Sequence, residues 1–249
     1  RCTMGTRSPS SDDVATPLPR LQLLACMLVM MTVSFQINVI WPFLPFMVDH
    51  IRGTDENAGF WVGLLASSYF WTQTVAAFVW GVLPNRFGLK RCMLISSVGV
   101  GVSLVGFGMS DSYWMAVFWR AFGGFLNGNA PLVKSYIAKI TDKSNQATGF
   151  SVISFSWGIG GLVAPTLGGF LSEPQQKYPA LHLDPNGSFA RWPYLLPCVT
   201  AAVVCFLAAL SVLLWVADDH PAAAQYQRVL ATDADSSEGT GSTPEPSHC

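Results

Sequence analysis

The sequence predicts an all-α membrane protein with six transmembrane helices. Charged residues make up 12% of the 249 residues, about half the roughly 25% usual for a soluble domain. Mean hydropathy is +0.37. The apolar residues also fall in long unbroken runs instead of alternating at period two. Helices satisfy their own backbone groups in lipid, so such runs read as spanning helices and not as barrel strands.

A bilayer core of about 30 Å takes about 20 helical residues, and six stretches reach that length. Residues 21–47 are uncharged over 27 positions, 58–85 over 28 and 92–110 over 19. Residues 112–133 hold one charge, Arg120, while 146–172 and 192–217 are uncharged over 27 and 26 positions. Residues 1–20 mix Ser, Thr, Pro and both charge signs and read as a tail. Residues 218–249 include TDADSSEGTGSTPEPSHC, too polar to bury a core, and read as a disordered tail or a linker.

Lys and Arg set the expected orientation. Alternate loops and the two tails place Arg1, Arg7, Arg20, Arg86, Lys90, Arg91, Lys134, Lys139, Lys143 and Arg228 on one side, and Arg52, Lys177 and Arg191 on the other. Ten against three puts both termini in the cytoplasm, as an even number of spans requires. Asn186 opens the triplet Asn-Gly-Ser on the opposite side, a glycosylation candidate.

Several function classes are excluded. A net charge of -1 gives no basic surface for nucleic acid. The six cysteines form no CxxC pair, so neither a zinc finger nor a disulfide framework is expected. His50 beside Asp49 is a two-residue set at a helix end and reads as a solvated cap, so no metal and no cofactor is expected. No predicted span contains His, which disfavours an intramembrane serine protease.

Three segments carry the remaining chemistry. The first is Gly81-Val82-Leu83-Pro84-Asn85-Arg86-Phe87-Gly88-Leu89-Lys90-Arg91. Here Gly81 is expected to permit close helix contact and Gly88 to take a turn geometry that other residues resist. Arg86 and Lys90 are cations at the membrane face. The second segment holds Arg120, then Gly124 and Gly128 four apart on one face. A charge within a span tends to face a cavity and serve a purpose, so Arg120 is a cavity candidate, with Asn127 beside it. The third has Gly160, Ala164 and Gly168 at i, i+4 and i+8, a stripe suited to tight packing, with Gly169 following and Pro165 favouring a kink. Gln36 and Asn38 in the first span and Trp157 in the fifth complete the candidate cavity lining.

These segments resemble the major facilitator superfamily. The first is similar to that family's loop signature G-x-L-a-D-R-x-G-R-K at Gly81, Leu83, Arg86, Gly88 and Lys90. It departs at Asn85, where the family has an acid that helps clamp a cytoplasmic gate, and at Leu89, where it has a cation. Asn85 keeps the ability to cap a helix N-terminus. The third segment resembles the family's antiporter signature g-x-x-x-G-P-x-x-G-G, with Ala164 before Pro165. Together with WPFLPFMV and EPQQKYPALHLDPNGSFARWPYLLPC, the chain is similar to the zinc-induced-facilitator-like branch and its fungal relatives.

The resemblance implies one six-helix half of a twelve-helix carrier, built as 3+3 inverted repeats, Leu21–Ser110 against Ser112–Ala217. Because the chain opens on Arg1, it is read as the N-terminal half or a fragment, with the C-terminal half as its missing partner. The implied function is alternating-access transport of a small solute, as an antiporter or exporter, with a proton as coupling ion. Gln36, Asn38, Arg120, Asn127 and Trp157 would line the cavity. Residues 81–90 would form the gate, and helix 5 a pivot. No Asp or Glu lies in any predicted span, so the proton carrier is expected elsewhere. The alternatives are a six-helix protein acting as a dimeric carrier or channel, or a non-transporting interaction protein.

Overall fold

A computed structural model describes residues 19–53, 57–141, 145–173 and 191–217. The glycosylation candidate Asn186, both polar tails, Glu56, Lys143 and Lys177 lie outside the described residues. The described residues form eight helices and no strand: α1 (Arg20–Asn38), α2 (Leu44–Arg52), α3 (Ala58–Phe87), α4 (Leu89–Gly108), α5 (Tyr113–Leu126), α6 (Asn129–Ile140), α7 (Gln146–Leu171) and α8 (Leu195–Trp215). Five of them, α1, α3, α4, α7 and α8, are long and apolar enough to cross a membrane.

The first and fourth apolar runs are not single helices: each divides into two. Both breaks follow from proline. Pro42 offers no N–H to the Asn38 carbonyl four residues earlier, and α1 ends at Asn38. The chain turns through residues 39–43 before α2 restarts with Pro45 in its first turn, where its missing donor does no harm. Likewise Pro131 offers nothing to the carbonyl of Asn127, and α5 ends at Leu126.

The second break is stitched to its neighbours. Ser96 Oγ donates to the Leu126 carbonyl at 2.7 Å and accepts from Gly128 N–H at 3.0 Å. Trp80 Nε1 donates to the Phe125 carbonyl at 2.9 Å. Backbone groups released from the helix ladder are thus satisfied inside the bundle, the condition for irregular backbone at membrane depth.

Helix α1 lies along α7 and α8, α5 lies on α3 and α4, and α4 lies along α8. Small residues set the closest approaches. A Cβ at Gly160 would meet the Met31 carbonyl and one at Gly168 the Val39 carbonyl, while Ala164 between them is fully buried. A Cβ at Gly124 would meet the Tyr69 carbonyl and Thr72 Oγ1, and one at Gly128 the Trp80 ring. Helix α7 runs on through Pro165.

Buried apolar side chains form two main clusters. One gathers Phe43, Met47, Leu65, Tyr113, Tyr194 and Cys198 towards one end of the bundle. The other gathers Cys26, Trp80, Leu89, Tyr136 and Val216 towards the opposite end. The outer surface is itself apolar, with Phe78, Leu162 and Trp71 strongly exposed. In water such a surface is a liability; in lipid it is the solvated face.

Candidate functional site

Between the two clusters lies a polar centre. Helix α5 carries Arg120 inward, leaving only 5% of the residue exposed, with its guanidinium carbon 4.4 Å from the centre of the Tyr69 ring on α3. Gln36 of α1 and Ser103 of α4 line the same small space, closed by Trp119 and Phe107. The void amounts to 10 Å3, room for about one water molecule. No acid pairs with Arg120 among the described residues, and its Nε has no hydrogen-bond partner there. The Tyr69 ring face is therefore the main countercharge in view, an arrangement of about 2 kcal/mol or more when desolvated.

Tyr69 also joins the helix break to this centre. Asn127 Nδ2 donates to Tyr69 Oη at 2.6 Å, while Asn127 Oδ1 is buried without a partner. Asn129 repeats the motif, its Nδ2 donating to Ser97 Oγ at 3.0 Å and its Oδ1 left unpaired.

The structure thus brings Gln36 and Arg120 to one space, with Asn127 a single hydrogen bond away. It does not bring in Asn38 or Trp157. Asn38 Nδ2 donates to the Ser34 carbonyl, 2.8 Å, within its own helix. Trp157 lines a separate recess with Met30, Ile153 and Lys134. Tyr69, Ser96 and Trp80 are the residues that sequence reading missed. Each is a common residue in an apolar run, and the only local signal was the polar cluster Ser67-Ser68-Tyr69.

At the 81–90 loop, Gly88 takes φ +83° between α3 and α4, a conformation that side chains resist. Two expectations are corrected. Gly81 makes no close helix contact among the described residues, because a Cβ there would meet nothing within 4 Å. Asn85 caps no N-terminus: it lies exposed in the last turn of α3, and Gly88 precedes α4. Arg86 is exposed beside it.

The opposite face holds a second polar set. Arg191 pairs with Asp111 at 3.1 Å, and Trp192 Nε1 donates to the same carboxylate at 2.8 Å. These hydrogen bonds hold the Asp111 carboxyl below its ordinary value. Tyr194 Oη donates to Glu173 at 2.9 Å nearby. No cluster of three or more His, Cys, Asp or Glu residues able to hold a metal occurs among the described residues. Cys26, Cys92, Cys198 and Cys205 are free thiols in apolar surroundings.

A family profile described as Major Facilitator Superfamily matches residues 26–232. The chain belongs to that superfamily. Superfamily members are integral, multi-pass membrane transporters. Protein ZINC INDUCED FACILITATOR-LIKE 1 of Arabidopsis thaliana is 32% identical over 191 residues, 76% of this chain and 40% of that protein. The major facilitator superfamily multidrug transporter mfsB of Aspergillus fumigatus is 30% identical over 213 residues, 84% of this chain and 35% of that one. Both fit the branch that the sequence resembles. A solved D-xylose-proton symporter superposes with a TM-score of 0.67 at 16% identity, covering 90% of this chain and 53% of its own. That likeness shows the superfamily fold. The chain spans 40% or less of the length of these curated relatives.

Proposed function

We propose that the chain is the N-terminal six-crossing half of a secondary transporter that moves a small solute by alternating access. Under this reading α1 with α2 makes the first crossing and α5 with α6 the fourth. Residues 113–140 of the latter pair would reach about 40 Å at 1.5 Å per residue, more than a bilayer core needs.

The observation that carries the reading is the pattern of helix contacts. Exchanging the first three crossings for the last three turns the α1–α7 pair into α5–α3 and the α1–α8 pair into α5–α4, and leaves α4–α8 in place. All of these pairs are present. The exchange also maps α3 onto α7, and these two leave most surface open: 22% of the apolar stretch in each is buried, against 44–56% in α1, α4 and α8. Both features are those of two three-helix repeats whose second and fifth crossings await a partner half. We place both termini in the cytoplasm on the Lys and Arg distribution.

Asp49 on α2 is the sole acid within a described helix. A coupling proton would therefore ride on that residue near the membrane surface or on the partner half. The Asn85 and Leu89 departures leave the gate on this side with fewer ionic contacts, and the Gly160–Gly168 stripe would let α7 pivot on α1. The direction we favour is export.

The test is counterflow in proteoliposomes containing the protein as the cell makes it, loaded with small organic solutes of differing charge. Exchange of external label for internal solute is the expected result. Correct insertion with no exchange of any class contradicts the proposal.

A further inference from the structure

The central space around Arg120 is too small for a solute. The recess between α1, α6 and α7 has a volume of 320 Å3 and is walled by Met30, Phe150, Ile153 and Trp157. That lies at the small end of ligand pockets, which run from about 300 to 1,000 Å3. It holds two polar groups, Ser154 and Lys134. Ser154 Oγ already donates to the Phe150 carbonyl at 2.9 Å in its own helix. Lys134 makes no hydrogen bond or ion pair among the described residues, and no acid lines the recess.

We infer that this recess is a subsite for an organic monoanion with a flat apolar body, held by Lys134 at its charged end and by Trp157 and Phe150 along its rings. The inference rests on the carrier reading and names its substrate class. Lys134 is exposed at the edge of these apolar walls, where an ammonium with no acid beside it favours a carboxylate or sulfonate through a charge-assisted contact. Trp157, 38% exposed, supplies the flat wall. The volume suits one or two fused rings and is too small for the two-chain body of a phospholipid.

The experiment measures binding of 2-naphthalenesulfonate and of neutral 2-naphthylmethanol to the whole protein in phosphatidylcholine nanodiscs. The sulfonate is expected to bind about tenfold more tightly, the effect of one charge-assisted contact. Lys134→Gln should bring the two probes to near parity, and Lys134→Arg should keep the preference. Thermal unfolding midpoints matching the parent protein show that each variant is folded. Equal binding of the two probes, or a preference that survives Lys134→Gln, overturns the inference. So does loss of sulfonate binding when phosphatidylglycerol replaces part of the lipid, since a headgroup would then be the occupant. Binding through Lys134 without solute exchange would uphold the subsite and contradict the carrier reading. Exchange that ignores both solute charge and Lys134 would do the reverse.

Discussion

Tyr69 shows how much one residue carries here: its ring faces Arg120 and its hydroxyl accepts from Asn127. Tyr69→Phe keeps the ring and strands the Asn127 amide, so a loss of about 1 kcal/mol is expected. Tyr69→Leu removes the ring as well and should lose about 2 kcal/mol more, as a buried cation loses its π partner. Thermal unfolding in detergent resolves the two variants, and equal effects would mean that the ring does nothing for Arg120. The same assay separates two glycines that look alike in sequence. Gly168→Ala pushes a methyl group into the Val39 carbonyl and should destabilise by about 1–3 kcal/mol. Gly81→Ala meets open space within a helix and should be neutral or up to about 1 kcal/mol stabilising. Arg120 was legible because a charge in an apolar run stands out. Tyr69 was not, because nothing in its neighbours marks which tyrosine lies under a cation two crossings further along the chain.

At the scale of elements, hydropathy marked where apolar chain begins and ends but not where its backbone breaks. Pro42 and Pro131 sit inside runs that stay apolar on both sides, so the breaks leave hydropathy unchanged and show only in the N–H donors that the two prolines lack. Pro165 breaks nothing, so proline alone does not decide. What distinguishes the second break is the supply of outside partners, Ser96 and Trp80, for the freed backbone. Ser96→Ala should therefore cost about 1 kcal/mol and loosen the junction, read as faster hydrogen exchange at residues 126–129. Unchanged exchange would show that the junction holds itself. The far-side link between the α4–α5 loop and the start of α8 depends on pH. The Asp111 carboxylate is held below its ordinary value by Arg191 and Trp192, so its contribution is fully present above the usual carboxylate range and fades as pH falls below it. The group is exposed, so the effect is small and weakens with salt. Exchange at residues 191–195 should rise on acidification in the parent protein, and Asp111→Asn should show the raised level already at neutral pH.

For the molecule as a whole, the family and the helical class were legible from composition and three glycine-rich segments, while the arrangement of polar side chains was not. Gln36, Asn38 and Trp157 sit in similar runs, yet one faces the Arg120 space, one bonds its own helix and one opens into the Lys134 recess. Those destinations depend on helix rotation, which small residues on α5 and α7 set through contacts far along the chain. The reading of the chain as half of a carrier requires α5 and α6 to cross the membrane together as one interrupted helix. Single cysteines placed at residues 111 and 145, probed with a membrane-impermeant reagent in sealed right-side-out vesicles, test this. The expected result is labelling at 111 from outside, and at 145 only after the membrane is opened. Labelling of both from the same side would mean that α5 and α6 enter and leave by one face, and the chain would not be such a half.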